Sequence, residues 1–137
     1  MFSYKDGDRV RLLSRKGVDH TRRFHDLAAA VAKLSARTLV LDGEVAIYDQ
    51  HLRSRFEWLR EPDPDAVASP PVVMAFDVLY YSGRDVTARP LRWRRARLEG
   101  VLSGSGLNLK VKQEGWTVAN DRWQRRIFVA DATKSSP

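Results

Sequence analysis

The run VVMAFDVLYY, residues 72–81, constrains this chain more than any other segment. It is nearly continuous in apolar and β-favouring side chains. A proline-rich connection (EPDPDAVASPP, residues 61–71) precedes it and the turn string Ser82-Gly83-Arg84-Asp85 follows it. A run of that kind between breakers reads as a strand buried on both faces. Such a strand needs partners. Residues 38–41 and 45–48 supply another apolar β segment, interrupted by Asp42-Gly43-Glu44, and the two segments are expected to be neighbouring core strands. Residues 2–5 and 9–14 flank Asp6-Gly7-Asp8, a hairpin turn signal between two short strands. Residues 107–112 alternate strictly, with Leu107, Leu109 and Val111 on one face and Asn108, Lys110 and Lys112 on the other.

Two helices are expected beside these strands. Phe24, Leu27, Ala28, Val31 and Leu34 fall at helical spacing, with Asp19 or Thr21 as the cap. Pro90 can open a second helix whose apolar side carries Leu91, Leu98 and Leu102. Arg92, Arg94, Arg95 and Arg97 line the rest of it. Trp116 and Trp123 lie in a partly helical segment, and the terminal DATKSSP is expected to fray. The fold class is therefore α+β: a mostly antiparallel sheet flanked by helices.

The chain has 137 residues, enough for one modest domain. It has no cysteine, which excludes disulfides, thiolate metal sites and cysteine nucleophiles. No apolar run approaches a membrane span, and the start carries no apolar signal core. A cytoplasmic location is the expectation. The formal net charge is +7, largely from arginine, which favours polyanion partners and forked phosphate contacts. His20, His25 and His51 show no ligand spacing, so no histidine metal site is expected.

Three places could carry chemistry. Asp42-Gly43-Glu44 reads first as a tight turn with solvated acids. The alternative is a Glu aimed out of a sheet at a ligand after a glycine kink. Phe76-Asp77 reads first as a core Phe beside an Asp bonded to a backbone amide or an arginine, because an unpaired buried carboxylate is costly. Lys110 and Lys112 point the same way on a strand, so they form either an exposed face or a pair awaiting an anion.

These strings also occur in a specific order. RLLSRKGVDHTRRF, LDGEVAIYD, FDVLYYSGRDVTARPLRWRRARLEGVL and LKVKQEGWT together resemble the ATP-dependent DNA ligases, in particular the ligase domain of bacterial end-joining enzymes. The resemblance covers Asp6 to about Trp123. It implies a partial nucleotidyltransferase (ATP-grasp-like) adenylation domain over residues 1–112. Residues 113–137 would then be a linker or tail toward an oligonucleotide-binding domain. RNA ligases and capping-type nucleotidyltransferases share the general plan but match these strings less well.

In that family a lysine attacks the α-phosphate of ATP and becomes adenylated. The AMP passes to the 5′-phosphate of a nick, and the 3′-hydroxyl then displaces it. The resemblance implies that Arg15 contacts phosphate, and that Glu44 holds the ribose or helps place Mg²⁺. Phe76 would stack on adenine, and Lys110 and Lys112 would hold the α-phosphate. The expected substrates are ATP and nicked duplex DNA.

The chain also departs from the family pattern. The family's nucleophile motif is Lys-any-Asp-Gly, whereas Lys5-Asp6-Gly7 lacks the intervening residue. It also falls where the family has the turn after that motif. Lys5 is therefore read as part of a turn and not as the nucleophile, whose motif is expected before Met1. The family's Glu-Gly segment between the second helix and the lysine pair is replaced by LSGSGLN, and Asn108 stands where tryptophan is usual. Two functions follow as expectations. One is a DNA-ligase-like protein that is catalytically incomplete in this chain. The other is a non-catalytic remnant that at most binds nucleic acid weakly.

Overall fold

Strand β4 (Val72–Tyr81) runs through the middle of a single antiparallel sheet. The computed structural model describes residues 1–51, 53–61, 63–66, 71–103, 109–112 and 127–130, the last two stretches as strand backbone. The other elements are β1 (Phe2–Asp6), β2 (Arg9–Leu13), α1 (His25–Ala32), β3 (Thr38–Ala46), a short 3-10 helix (Phe56–Leu59), β5 (Arg84–Asp85), α2 (Leu91–Ser103), β6 (Leu109–Lys112) and β7 (Ile127–Ala130). The strand order is β2-β1-β3-β4-β7-β6, and β5 pairs with the end of β4. The architecture is α+β, as the alternation and turn signals predict.

Both helices cover one face of the sheet. Leu98, Val101 and Leu102 of α2 pack with Leu39, Leu41, Ala75 and Val78. Leu27 and Ala28 of α1 pack with Leu12, Val45 and Val73. Residues 39, 41, 43 and 45 of β3 therefore face the helices, and residues 40, 42, 44 and 46 face the other way. On that opposite face, Ala46, Val72 and Met74 cluster with Tyr48 and Phe76. β4 is thus apolar on both faces, which is why its sequence does not alternate.

Several local expectations are corrected. Asp42-Gly43-Glu44 does not interrupt the β segment, because β3 continues through it from Thr38 to Ala46. The helix α1 begins at His25, and Phe24 occupies its cap position without a side-chain cap bond. Asp19 and Thr21 are engaged elsewhere: Asp19 accepts from the Thr21 amide, and the Thr21 hydroxyl accepts from the Leu12 amide. Leu91 is 44% exposed, because it sits in the first turn of α2, ahead of the residues that reach the core. Lys5 is a strand residue rather than a turn residue; the turn is made by Gly7, with φ of 58°. Asn108, Trp116, Trp123 and the terminal DATKSSP lie outside the described residues. Among the described residues, no helix is long and apolar enough to cross a membrane.

Beyond β3 the chain folds back through a bridge between Tyr48 and Ser54. Asp49 is buried and organises this loop. Its carboxylate accepts from the amides of Arg53 and His51 and from the Arg53 side chain. Those bonds, the Arg53 amide foremost, hold its pKa below the ordinary aspartate value.

Candidate nucleotide-binding face

The candidate residues are positioned by a register shift between β3 and β4. Asp42 lies opposite Asp77, but the next residue, Gly43, lies opposite Ala75. Phe76 sits at this shift, and side-chain alternation breaks there. Val73 and Ala75 join the helix-side clusters, whereas Met74 and Phe76 pack on the opposite face; beyond the bulge Val78 returns to the helix side. The bulge puts an aromatic ring on the face away from the helices.

Gly43 is required by close approach. A Cβ on it would come within 2.4 Å of the Met74 carbonyl oxygen and 3.1 Å of the Ala75 Cα. The Met1 amine donates to the Gly43 carbonyl at 2.9 Å, and the Gly43 amide donates back to Met1. Glycine thus lets β3 and β4 approach closely at this point. Asp42 and Glu44 emerge on either side of it, on the same face as Phe76.

Glu44 is exposed and has no hydrogen-bond or ion-pair partner among the described residues. Asp42 is half-buried, and its Oδ1 is fully buried without a partner among the described residues. Phe76 packs against Met74, Val72 and Ala46, and the Tyr48 hydroxyl donates to the Met74 sulfur. The surface is an apolar platform bordered by carboxylates.

The lysine pair reaches this face through the sheet's register. Glu44 is opposite Met74, Met74 opposite Val129, and Val129 opposite Lys110. Lys112 is opposite Ile127, one step further on in the direction of Phe76. These positions belong to one face, with β7 between β4 and β6. Three strand spacings separate the Glu44 and Lys110 backbones by about 14 Å. Arg15 lies apart from this row. It is exposed in the turn after β2, where the Gly17 amide donates to Ser14, and it has no ion-pair partner among the described residues. Its turn is at the Glu44 end of the sheet, on the edge opposite the lysines.

Asp77 is committed to structure. Its two carboxylate oxygens accept from Arg94 Nε at 2.8 Å and Arg94 Nη2 at 3.0 Å. It also accepts from the Val78 amide. The hydrogen bond to Asp77 raises the Arg94 pKa above its ordinary value, outweighing the effect of burial. Among the described residues, no cluster of three His, Asp or Glu side chains could enclose a metal. A site of the kind that holds Mg²⁺ through one or two carboxylates and substrate phosphates needs no such cluster, so Glu44 and Asp42 fit it.

Residues 1–129 match the family model described as the ATP dependent DNA ligase domain. The chain belongs to this family. Over 104 residues it is 36% identical to the multifunctional non-homologous end joining protein LigD of Pseudomonas aeruginosa, covering 76% of this chain and 12% of that protein. It is 36% identical over 111 residues to DNA ligase C of Mycobacterium tuberculosis, covering 75% of this chain and 31% of that one. In three dimensions it resembles the ligase domain of M. tuberculosis LigD with a TM-score of 0.61 and 29% identity, covering 76% of this chain and 34% of that structure. A mycobacterial DNA ligase D complexed with ATP and MES gives 0.60 and 30%, covering 76% and 33%. This ligase-family chain thus spans about a third or less of the length of these relatives.

Sequence reasoning did not find Met74, Tyr48 or the orphaned Asp42 oxygen. Met74 was open to discovery, because Val72, Met74 and Phe76 recur every second residue on one face. Asp42 was not, because whether a carboxylate oxygen lacks a partner depends on the β3–β4 register.

Proposed function

We propose that this chain supplies the nucleotide-holding face of an ATP-dependent DNA ligase adenylation domain. The observation that carries the proposal is the row joining Glu44, Met74 and Lys110, with Phe76 beside it on the same face. Phe76 and Met74 offer an adenine ring a flat apolar bed, and Glu44 offers a ribose hydroxyl an acceptor. Lys110 and Lys112 stand where the phosphate chain would lie, and Arg15 is free for a more distant phosphate. Mg²⁺, when bound, supplies charge neutralisation at the phosphoryl oxygens. Nicked duplex DNA is the corresponding macromolecular substrate.

The test is calorimetric titration with ATP and Mg²⁺. Phe76→Ala is expected to weaken binding by about 1–3 kcal/mol, the usual worth of one base stacked on an aromatic ring. Equal affinity in the variant, with the fold intact by circular dichroism, would remove Phe76 from the site.

Lys5 is no candidate nucleophile. Its side chain is 7% exposed, and its ammonium donates to the Ala36 carbonyl at 2.6 Å. Ser3 and Lys5 lie opposite Leu41 and Leu39, so they belong to the helix-covered side of the sheet. Lys5→Met should lower stability by about 1.5–3 kcal/mol, as loss of a charged hydrogen bond does. It should leave ATP affinity, and any protein-bound label from α-labelled ATP, unchanged. Loss of such a label in the variant would contradict this assignment.

The second reading is a non-catalytic remnant that binds nucleic acid weakly. It is favoured by the short link LSGSGLN, where related ligases carry a Glu-Gly segment. Nucleotide binding that never yields a protein–AMP adduct, even when an upstream Lys-any-Asp-Gly segment is supplied, would favour it.

A further inference from the structure

A column of alternating cations and rings lies at the rim of the helix-covered core. The Arg97 guanidinium carbon is 5.0 Å from the Trp93 ring centre and 5.1 Å from that of Tyr81. Arg89 covers Trp93 at 5.2 Å. Trp93 and Arg97, four residues apart, share one flank of α2, and Arg89 reaches the same ring from the turn before the helix. Tyr81 comes from β4, where Arg84 of β5 is its register partner.

Among the described residues, Arg84, Arg89 and Arg97 have no carboxylate partner. The nearby acids are engaged elsewhere or face another way. Asp77 binds Arg94, and Asp85 accepts from the Thr87 amide and hydroxyl. Glu99 is two residues from Arg97 on the helix, a spacing that puts the two on different flanks. A row of solvated arginines would be unremarkable. Here the rings hold two guanidiniums in place, and a stacked guanidinium keeps its in-plane donors free to fork onto an anion.

We propose that this column is a second, sequence-independent docking surface for a nucleic-acid phosphate backbone. It lies on the side of the sheet opposite the proposed nucleotide face, and the proposal rests on reading DNA as the chain's partner. Fixed guanidinium forks match phosphate oxygens, and a duplex presents them at close, regular spacing. One straight duplex cannot touch both sides of the sheet, so the chain can hold two DNA segments at once.

The experiment uses the whole chain and a fluorescein-labelled nicked duplex, with anisotropy measured across a KCl series. The variants are R89Q/R97Q, R89K/R97K and K110Q/K112Q. Each phosphate contact contributes about 0.9 to the log–log salt slope, so R89Q/R97Q should make it less negative by about 2. R89K/R97K keeps the charge and should restore most of the slope, which separates lost contacts from a damaged fold. Wild-type protein on an immobilised duplex should capture a second, differently labelled duplex. R89Q/R97Q should bind the first and fail to capture the second, whereas K110Q/K112Q should retain the column's share of the slope. An unchanged slope and unchanged capture in R89Q/R97Q overturn this proposal alone. Tighter column-dependent binding to polyglutamate or to phosphatidylserine vesicles overturns it in favour of that partner. No DNA binding by the wild type overturns it together with the DNA reading of the chain.

Discussion

Gly43→Ala will cost this chain a large share of its stability. The added methyl group would sit 2.4 Å from the Met74 carbonyl oxygen and 3.1 Å from the Ala75 Cα, and both atoms are backbone. No rotamer change relieves a clash with backbone, so β3 and β4 must separate or shift. That pair is the centre of the sheet and carries the core on one side and the Phe76 platform on the other. Overpacking a core typically costs about 1–3 kcal/mol; with no side chain able to yield, we expect about 3 kcal/mol or more. A domain with a net stability of about 5–15 kcal/mol would lose a large share of it. Urea denaturation followed by circular dichroism measures this. A midpoint within error of wild type would mean that β3 and β4 are not paired in this register.

The second large effect concerns Asp77 and Arg94. Breaking a buried ion pair by removing one partner costs about 3–5 kcal/mol. These two side chains keep 18% and 17% exposure, so we expect about 2–3 kcal/mol for Asp77→Ala or Arg94→Met alone. Arg94 also donates to the carbonyls of Thr87 and Arg89, so its loss releases the loop between β5 and α2 as well. The double variant should be less destabilised than the sum of the singles, because neither charge is then stranded. Additive losses in the double-mutant cycle would show that the two residues act independently.

The contrast between these two sites explains what the sequence could reveal. The strand at 72–81 was legible because ten residues of one character between breakers admit few alternatives. The pairing of β3 with β4 followed from apolar composition. Asp42-Gly43-Glu44 was misjudged as a break because glycine between two acids has the composition of a turn. Only the neighbouring strand's carbonyl reveals that the glycine is there for clearance. The partner of Asp77 was legible as a class, an arginine or an amide, but not as Arg94. Several arginines crowd the start of α2, and the choice among them depends on how the helix is seated. The lysine pair was legible as two residues on one face of a strand. Its place two strands from β4, with Ile127–Ala130 between, was not, because the sequence gives no pairing order for short strands.

The two outermost strands of the described sheet have a consequence for how copies of this protein meet. Among the described residues β2 and β6 end the strand order, and each leaves backbone donors and acceptors unpaired outside the stretch of β2 that residues 18–21 cover. Such edges invite a second chain to add on. At alternating positions β2 carries Arg9 and Arg11, and β6 carries Lys110 and Lys112. Any copy arriving edge to edge, in whatever combination of strands, brings cation against cation. The residues proposed to serve a nucleotide at one border would therefore also guard that edge against self-association. Neutralising them should show first as concentration-dependent aggregation at low salt, before any change in the fold.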